Sequence, residues 1–142
     1  MKIVIGNDHG GFELKKVICT HLIDNGHDVI DMGTNSVESC DYPIYVNKVT
    51  TEILNGNADF GILICGTGVG MSMAANKIKG IRAVVCSEPY TARLSREHNN
   101  ANILALGGRV VGSELAKMII DTWLNATFIG GRHKERLEMF ED

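Results

Sequence analysis

A short apolar run that ends on a cysteine and opens into alternate glycines constrains this chain more than any other stretch. Residues Phe60–Ile64 are apolar throughout, with the length of a buried strand. Cys65 follows, then Gly66, Thr67, Gly68, Val69 and Gly70, and a helix starts within Gly68–Ser72. Glycine has no Cβ, so such a loop turns sharply and presents main-chain N–H groups to an anion. Thr67 adds a hydroxyl donor. A thiol beside an anion cradle suits a reaction in which a proton leaves carbon while negative charge builds on oxygen.

Strand and helix signals alternate along the rest of the chain. Strands are predicted at Lys2–Ile5, Asp28–Asp31, Phe60–Ile64, Arg82–Cys86 and Asn102–Leu106. The spacing of Leu14, Val17, Ile18 and Leu22 predicts a helix over Phe12–Asn25, stopped at Asn25-Gly26. Further helices are predicted over Tyr42–Leu54, with Pro43 in its first turn, over Tyr90–Glu97 after a Ser87-Glu88-Pro89 cap, and from Gly112-Ser113 to Trp123. A short charged helix follows Gly130-Gly131. Five apolar strands alternating with helices imply an α/β fold whose parallel sheet is covered on both faces. Ligands in such folds gather at the carboxyl ends of the strands. Asp8-His9, Cys65–Gly70 and Gly107-Gly108-Arg109 all fall on that edge.

The 142 residues suit a single domain with a substantial core. The formal net charge of −3 gives no domain-wide basic field, so nucleic acid is not an expected partner. No apolar run approaches a membrane span, and the start of the chain lacks a signal-peptide layout, so a cytoplasmic protein is expected. The four cysteines, Cys19, Cys40, Cys65 and Cys86, have no paired spacing. A disulfide framework or structural zinc site is not expected, and no metal is assigned. Cys19 reads as a core residue, and Cys40 lies in a polar loop without an evident role.

Each candidate has an ordinary explanation beside the chemical one. Asp8 can simply cap a helix, with His9 a surface residue. A cysteine ending a core strand is usually inert packing, but the glycine loop and the nearby helix start make Cys65 a candidate reactive thiolate. The glycine spacing matches neither the dinucleotide fingerprint nor a Walker loop. His98 can serve as a helix-terminal cation, with Asn100 as terminator. Arg132, His133 and Arg136 can be a solvated tail. Against that, two glycines fix a turn before them, and the two arginines share a helical face suited to phosphate.

Taken together, these segments resemble the type B ribose-5-phosphate isomerase family, which also includes the galactose-6-phosphate isomerase subunits. The resemblance spans the whole chain. It is carried by Gly6-Asn7-Asp8-His9-Gly10-Gly11-Phe12-Glu13-Leu14-Lys15, Asp41-Tyr42-Pro43 and the run from Gly61 through Cys65 to Ser72. Ala74-Ala75-Asn76-Lys77, Leu94-Ser95-Arg96-Glu97-His98-Asn99, Gly107-Gly108-Arg109-Val110 and Gly130-Gly131-Arg132-His133 complete it. It departs at Gly10, where relatives more often carry alanine or valine.

The resemblance implies a Rossmann-like three-layer α/β/α sandwich and a homodimer, or a dimer of dimers, with shared sites. The tail from about residue 125 to 142 would pack on the partner subunit. It implies cofactor-free interconversion of ribose 5-phosphate and ribulose 5-phosphate through an enediolate. Cys65 would be the base, Thr67 would assist at the cradle, and His98 would help open the sugar ring. Asp8, His9, Tyr42 and Asn99 would touch substrate. Gly66, Gly68, Val69 and Gly70 would line the enediolate cradle, and Arg109, Arg132 and Arg136 would hold phosphate, with His9. The galactose enzyme divides its functional residues between unlike chains. This chain carries both the Cys65 and the His98 motifs, which favours the ribose enzyme and leaves allose 6-phosphate as a six-carbon alternative. A non-catalytic phosphate- or nucleotide-binding module would explain the glycine loop and arginines, but not Cys65 and His98 together.

Overall fold

The computed structural model of the protein describes residues 1–141. Five strands, β1 (Lys2–Asn7), β2 (Asp28–Asp31), β3 (Phe60–Cys65), β4 (Ala83–Val85) and β5 (Ile103–Gly107), form one sheet in the order β2-β1-β3-β5-β4. All four pairings are parallel. Six helices connect and flank them: α1 (Phe12–Asp24), α2 (Tyr42–Leu54), α3 (Val69–Ala75), α4 (Pro89–Glu97), α5 (Ser113–Asn125) and α6 (Arg132–Glu138). Among the described residues, no helix is long and apolar enough to cross a membrane.

The strands are apolar on both faces because both are covered. Ile3, Ile5, Ile62, Ile64, Leu104 and Leu106 pack with Leu14, Ile18 and Leu22 of α1, and with Ile119, Ile120 and Trp123 of α5. The alternate residues Val4, Leu63, Cys65, Ile103 and Ala105 pack with Val46 and Val49 of α2 and Met71 and Ala75 of α3. The side-chain period of two divides each strand between two cores. It also assigns Cys65 to the α2–α3 face.

The predicted elements are present, with shifted ends. β1, β3 and β5 each run further toward their carboxyl ends than predicted, because the central ladders continue to Asn7–Ile64 and Cys65–Gly107. β4 is shorter than Arg82–Cys86. It lies at the sheet edge, where Arg82 N–H turns to the Asn102 side chain at 2.8 Å. Pro43 and Pro89 occupy the first turns of α2 and α4, and the Glu88 carboxylate accepts from Thr91 N–H at 3.0 Å.

The chain reverses direction across the sheet between β1 and β3, and there the three central strand ends touch. Asp8 N–H donates to Ile64 O (3.2 Å), Gly108 N–H to Cys65 O (2.7 Å) and Arg109 N–H to Gly66 O (3.1 Å). Glycine makes this approach possible. A Cβ on Gly11 would overlap Ile64 O, and one on Gly108 would lie 2.7 Å from Gly10 O. Both neighbours are backbone and cannot move aside cheaply. Gly11→Ala is therefore expected to destabilise the protein by about 1–3 kcal/mol, the usual cost of overpacking. Urea unfolding measures this; a midpoint equal to wild type would show that the strand ends are not packed as described.

Candidate active site

Cys65 is the last residue of β3 and is buried beneath its own loop. Gly68 adopts a left-handed conformation (φ +81°), which turns its N–H back onto Cys65 Sγ at 3.1 Å. A main-chain donor thus supports negative charge on the sulfur. Val69 N–H donates to Thr67 Oγ1 at 3.3 Å, which leaves the Thr67 hydroxyl proton free to point elsewhere. Among the described residues, the Gly66, Thr67 and Gly70 amides have no hydrogen-bond partner. The cradle expected from the glycine spacing is present as three free donors around a buried thiol. Burial, with Glu88 nearby, pushes the thiol of Cys86, the other buried cysteine, up to about 12. Burial likewise pushes Cys19 up to about 11, as suits a packing residue.

Side chains from three other loops reach the same edge. Asp8 is buried, and its Oδ1 accepts from Gly10 N–H at 2.9 Å, fixing the turn His9–Gly11. Oδ2 accepts no hydrogen bond among the described residues. His9 is held through Nδ1, which accepts from Cys40 N–H at 3.2 Å. The Tyr42 ring lies against Gly70, whose added Cβ would meet it at 2.8 Å. The Arg109 guanidinium lies over Gly66, 3.4 Å from the corresponding Cβ position. Carboxylate, imidazole, phenol, guanidinium and thiol thus surround one free-amide loop.

The remaining predicted residues stand elsewhere. His98 caps α4, which runs back from the carboxyl edge and ends where β5 begins. His98 and Asn99 therefore lie at the amino edge of the sheet. β5 alone separates the two edges by about 13 Å, at about 3.3 Å per residue. At this edge Ile129 N–H donates to Glu97 O at 3.0 Å, bringing the tail alongside α4. Gly130 and Gly131, with φ of +76° and +58°, make the fixed turn that starts α6. The His133 ring then stacks on His98, centroids 4.1 Å apart and planes 7° from parallel. Partial desolvation, with His98, Arg132 and Arg136 close by, holds His133 below the ordinary histidine range. Two histidines and two arginines form a cationic cluster suited to an anion. One chain brings together Asp8, His9, Tyr42, Cys65–Gly70 and Arg109, and separately His98, Asn99, Arg132 and Arg136, but not the two groups.

The sequence pattern of the ribose/galactose isomerase family matches residues 3–140. The chain belongs to that family. It is 61% identical to ribose-5-phosphate isomerase B of Escherichia coli over 137 residues, 96% of this chain and 92% of that protein. The structure superposes on ribose-5-phosphate isomerase B of Clostridium thermocellum with a TM-score of 0.96 at 57% identity, covering 98% of this chain and 94% of the other. The type B enzyme of Trypanosoma brucei gives 0.93 at 42% identity, with 97% and 95% covered. These likenesses bear out the α/β fold with its five-stranded parallel sheet.

Sequence reasoning missed two contributors. In the sequence His133 stands only within a basic run, yet its ring stacks on His98. Cys40 lies in a polar loop with no evident role, yet its main chain holds His9. Neither contact follows a helical or strand period, so neither left a signal in the spacing. Arg96, buried in the last turn of α4, lies 4.4 Å from the Phe60 ring centroid, and its Nη1 donates to Asn100 Oδ1 at 3.1 Å and to Ala101 O at 2.6 Å.

Desolvation disfavours protonated His133, and His98, Arg132 and Arg136 beside it act in the same direction, so it titrates below the ordinary histidine value. A fold that depresses a histidine loses stability as the pH falls through that ordinary value, since the unfolded chain binds the proton more readily. NMR titration of the His133 ring protons is expected to show the low value, and Arg136→Gln is expected to raise it. A titration at or above 6.5 in the wild-type protein would contradict the cluster.

Proposed function

We propose that this chain interconverts ribose 5-phosphate and ribulose 5-phosphate in a site completed by a second copy of itself. The 61% identity to the Escherichia coli enzyme, over nearly the whole of both chains, supports the activity. One observation carries the division of labour: the Cys65 cradle and the His98 cluster occupy opposite edges of the same sheet. A sugar phosphate that needs both must meet them from different subunits, in a homodimer or a dimer of dimers. The tail that carries Arg132 and Arg136 is then the segment that reaches the partner, which fits a protein working in the cytoplasm as an oligomer.

In the proposed reaction His98, from the partner copy, moves the proton between the anomeric hydroxyl and the ring oxygen, opening the furanose. The Cys65 thiolate removes the C2 proton of the open aldose. The C2–H electrons form the C1–C2 double bond, and the carbonyl electrons move to O1. The Gly66, Thr67 and Gly70 amides and the Thr67 hydroxyl donate to that oxyanion and its neighbour. Cys65 returns the proton to C1 while the O2 proton passes to O1, and ribulose 5-phosphate results. One well-placed donor of this kind is worth about 3 kcal/mol, or roughly two orders of magnitude in rate. Asp8 and Tyr42 orient sugar hydroxyls, assisted by Asn99 of the partner copy. Arg109, His9 and the partner copy's Arg132 and Arg136 hold the phosphate, which keeps the reacting carbons in register.

Cys65→Ala removes the base and leaves the amides in place. It is expected to lower kcat by about 10²–10⁴ while ribose 5-phosphate still binds. Exchange of the C2 proton with deuterated solvent is the direct readout. Near-normal exchange in this variant would remove Cys65 from the role of base.

A further inference from the structure

Lys15 lies in the first turns of α1, yet only 2% of it is exposed. It faces the loop between β2 and α2, residues Met32–Asp41, which has no helix or strand. Its ammonium donates to Thr34 O (2.8 Å), Asn35 Oδ1 (2.7 Å) and both Asp31 carboxylate oxygens (3.1 and 3.3 Å). A buried charge needs such partners, and here every one belongs to the start of that loop or the strand leading into it. Asn7, fully buried at the end of β1, ties down the same segment. Its Nδ2 donates to Thr34 O (3.1 Å) and to Asp8 O (2.9 Å), and Thr34 N–H returns a bond to Asn7 O (3.1 Å). Gly33 passes so close to the Asn7 side chain that no Cβ fits between them.

The far end of this loop carries Cys40, whose main-chain N–H donates to His9 Nδ1 at 3.2 Å. A main-chain N–H can only donate, so Nδ1 must present its lone pair. Neutral His9 then carries its proton on Nε2, which has no protein partner among the described residues.

We infer that Lys15 and Asn7 are positioning residues, which hold the Met32–Asp41 loop so that Cys40 N–H sets His9 as the Nε2–H tautomer, a donor to a substrate oxygen. The functional half of this rests on His9 lying in the proposed substrate site; the tautomer does not. Without the anchor the loop end is free to leave, and His9 can place its proton on either nitrogen.

Long-range ¹H–¹⁵N correlation of the histidine rings in the ligand-free protein reads the tautomer directly. Wild-type His9 is expected to show a protonated Nε2 and a bare Nδ1; a protonated Nδ1 would overturn the assignment. In Lys15→Met, with near-UV circular dichroism showing a folded protein, a mixture of tautomers is expected; an unchanged tautomer would remove Lys15 from the role. Should that variant not fold, Asn35→Ala deletes only the 2.7 Å acceptor. There the Cys40 amide is expected to exchange with solvent at least several-fold faster than in wild type, and equal protection would refute the linkage. The kinetic consequence is a KM for ribose 5-phosphate raised about 3- to 10-fold with kcat within about twofold, the effect of weakening one ligand hydrogen bond. If the wild-type tautomer is as expected but the protein does not turn over ribose 5-phosphate, the proposed activity fails and the loop assignment stands.

Discussion

Backbone-to-backbone contact between the ends of β1, β3 and β5 is the constraint on which everything else in this molecule depends. Side chains would hold those three loops apart. Glycine at 10, 11, 107 and 108 lets them close to hydrogen-bonding distance, so that Asp8, Cys65 and Arg109 emerge side by side. The sheet supplies the alignment, since Asn7 pairs with Ile64 and Cys65 with Gly107. In the proposed reaction the stabilising donors are then mostly main chain. The donors of the cradle are peptide N–H groups, fixed by the strand ends and by one left-handed glycine at 68, and they need no rearrangement as charge develops.

The same parallel topology separates what it does not join. Each helix between two strands, α1 to α4, returns the chain to the amino edge before the next strand begins. A residue at the end of α4 therefore cannot reach the end of β3 in its own chain. His98 and the tail it packs against form a cationic cluster with stacked rings and two arginines, but this cluster contains neither the buried thiol nor the glycine cradle. The carboxyl-edge site has those groups, with Arg109 as its one arginine. The proposed shared site joins these two groups of residues across a two-fold axis.

Much of this was legible in the sequence, for physical reasons that differ by element. β3 and α3 were plain because an apolar run meets a glycine loop, a combination with few other solutions. Pro43 and Pro89 marked helix starts, and Gly130-Gly131 marked a fixed turn, because their backbone preferences are local. The strand ends were misjudged by a residue or two where ladder hydrogen bonds, not side chains, decide the limit. The role of Lys15 was invisible, since a lysine on a helix is ordinarily solvated and its burial depends on an aperiodic loop folding over it. The stacking of His133 on His98 was equally hidden. It depends on how the tail docks beside α4, and no repeat in the chain encodes that.

Complementation between two variants tests the proposed shared site most directly. Cys65→Ala and His98→Ala subunits, each expected to be inactive alone, are co-expressed so that they mix at random, and heterodimers are verified by differential tagging. If Cys65 of one copy works with His98 of the other, each heterodimer has one doubly damaged site and one intact site. The mixture should then recover roughly a quarter of wild-type activity on ribose 5-phosphate. Verified heterodimers with no recovered activity would contradict the account, because every site would then draw both residues from a single chain.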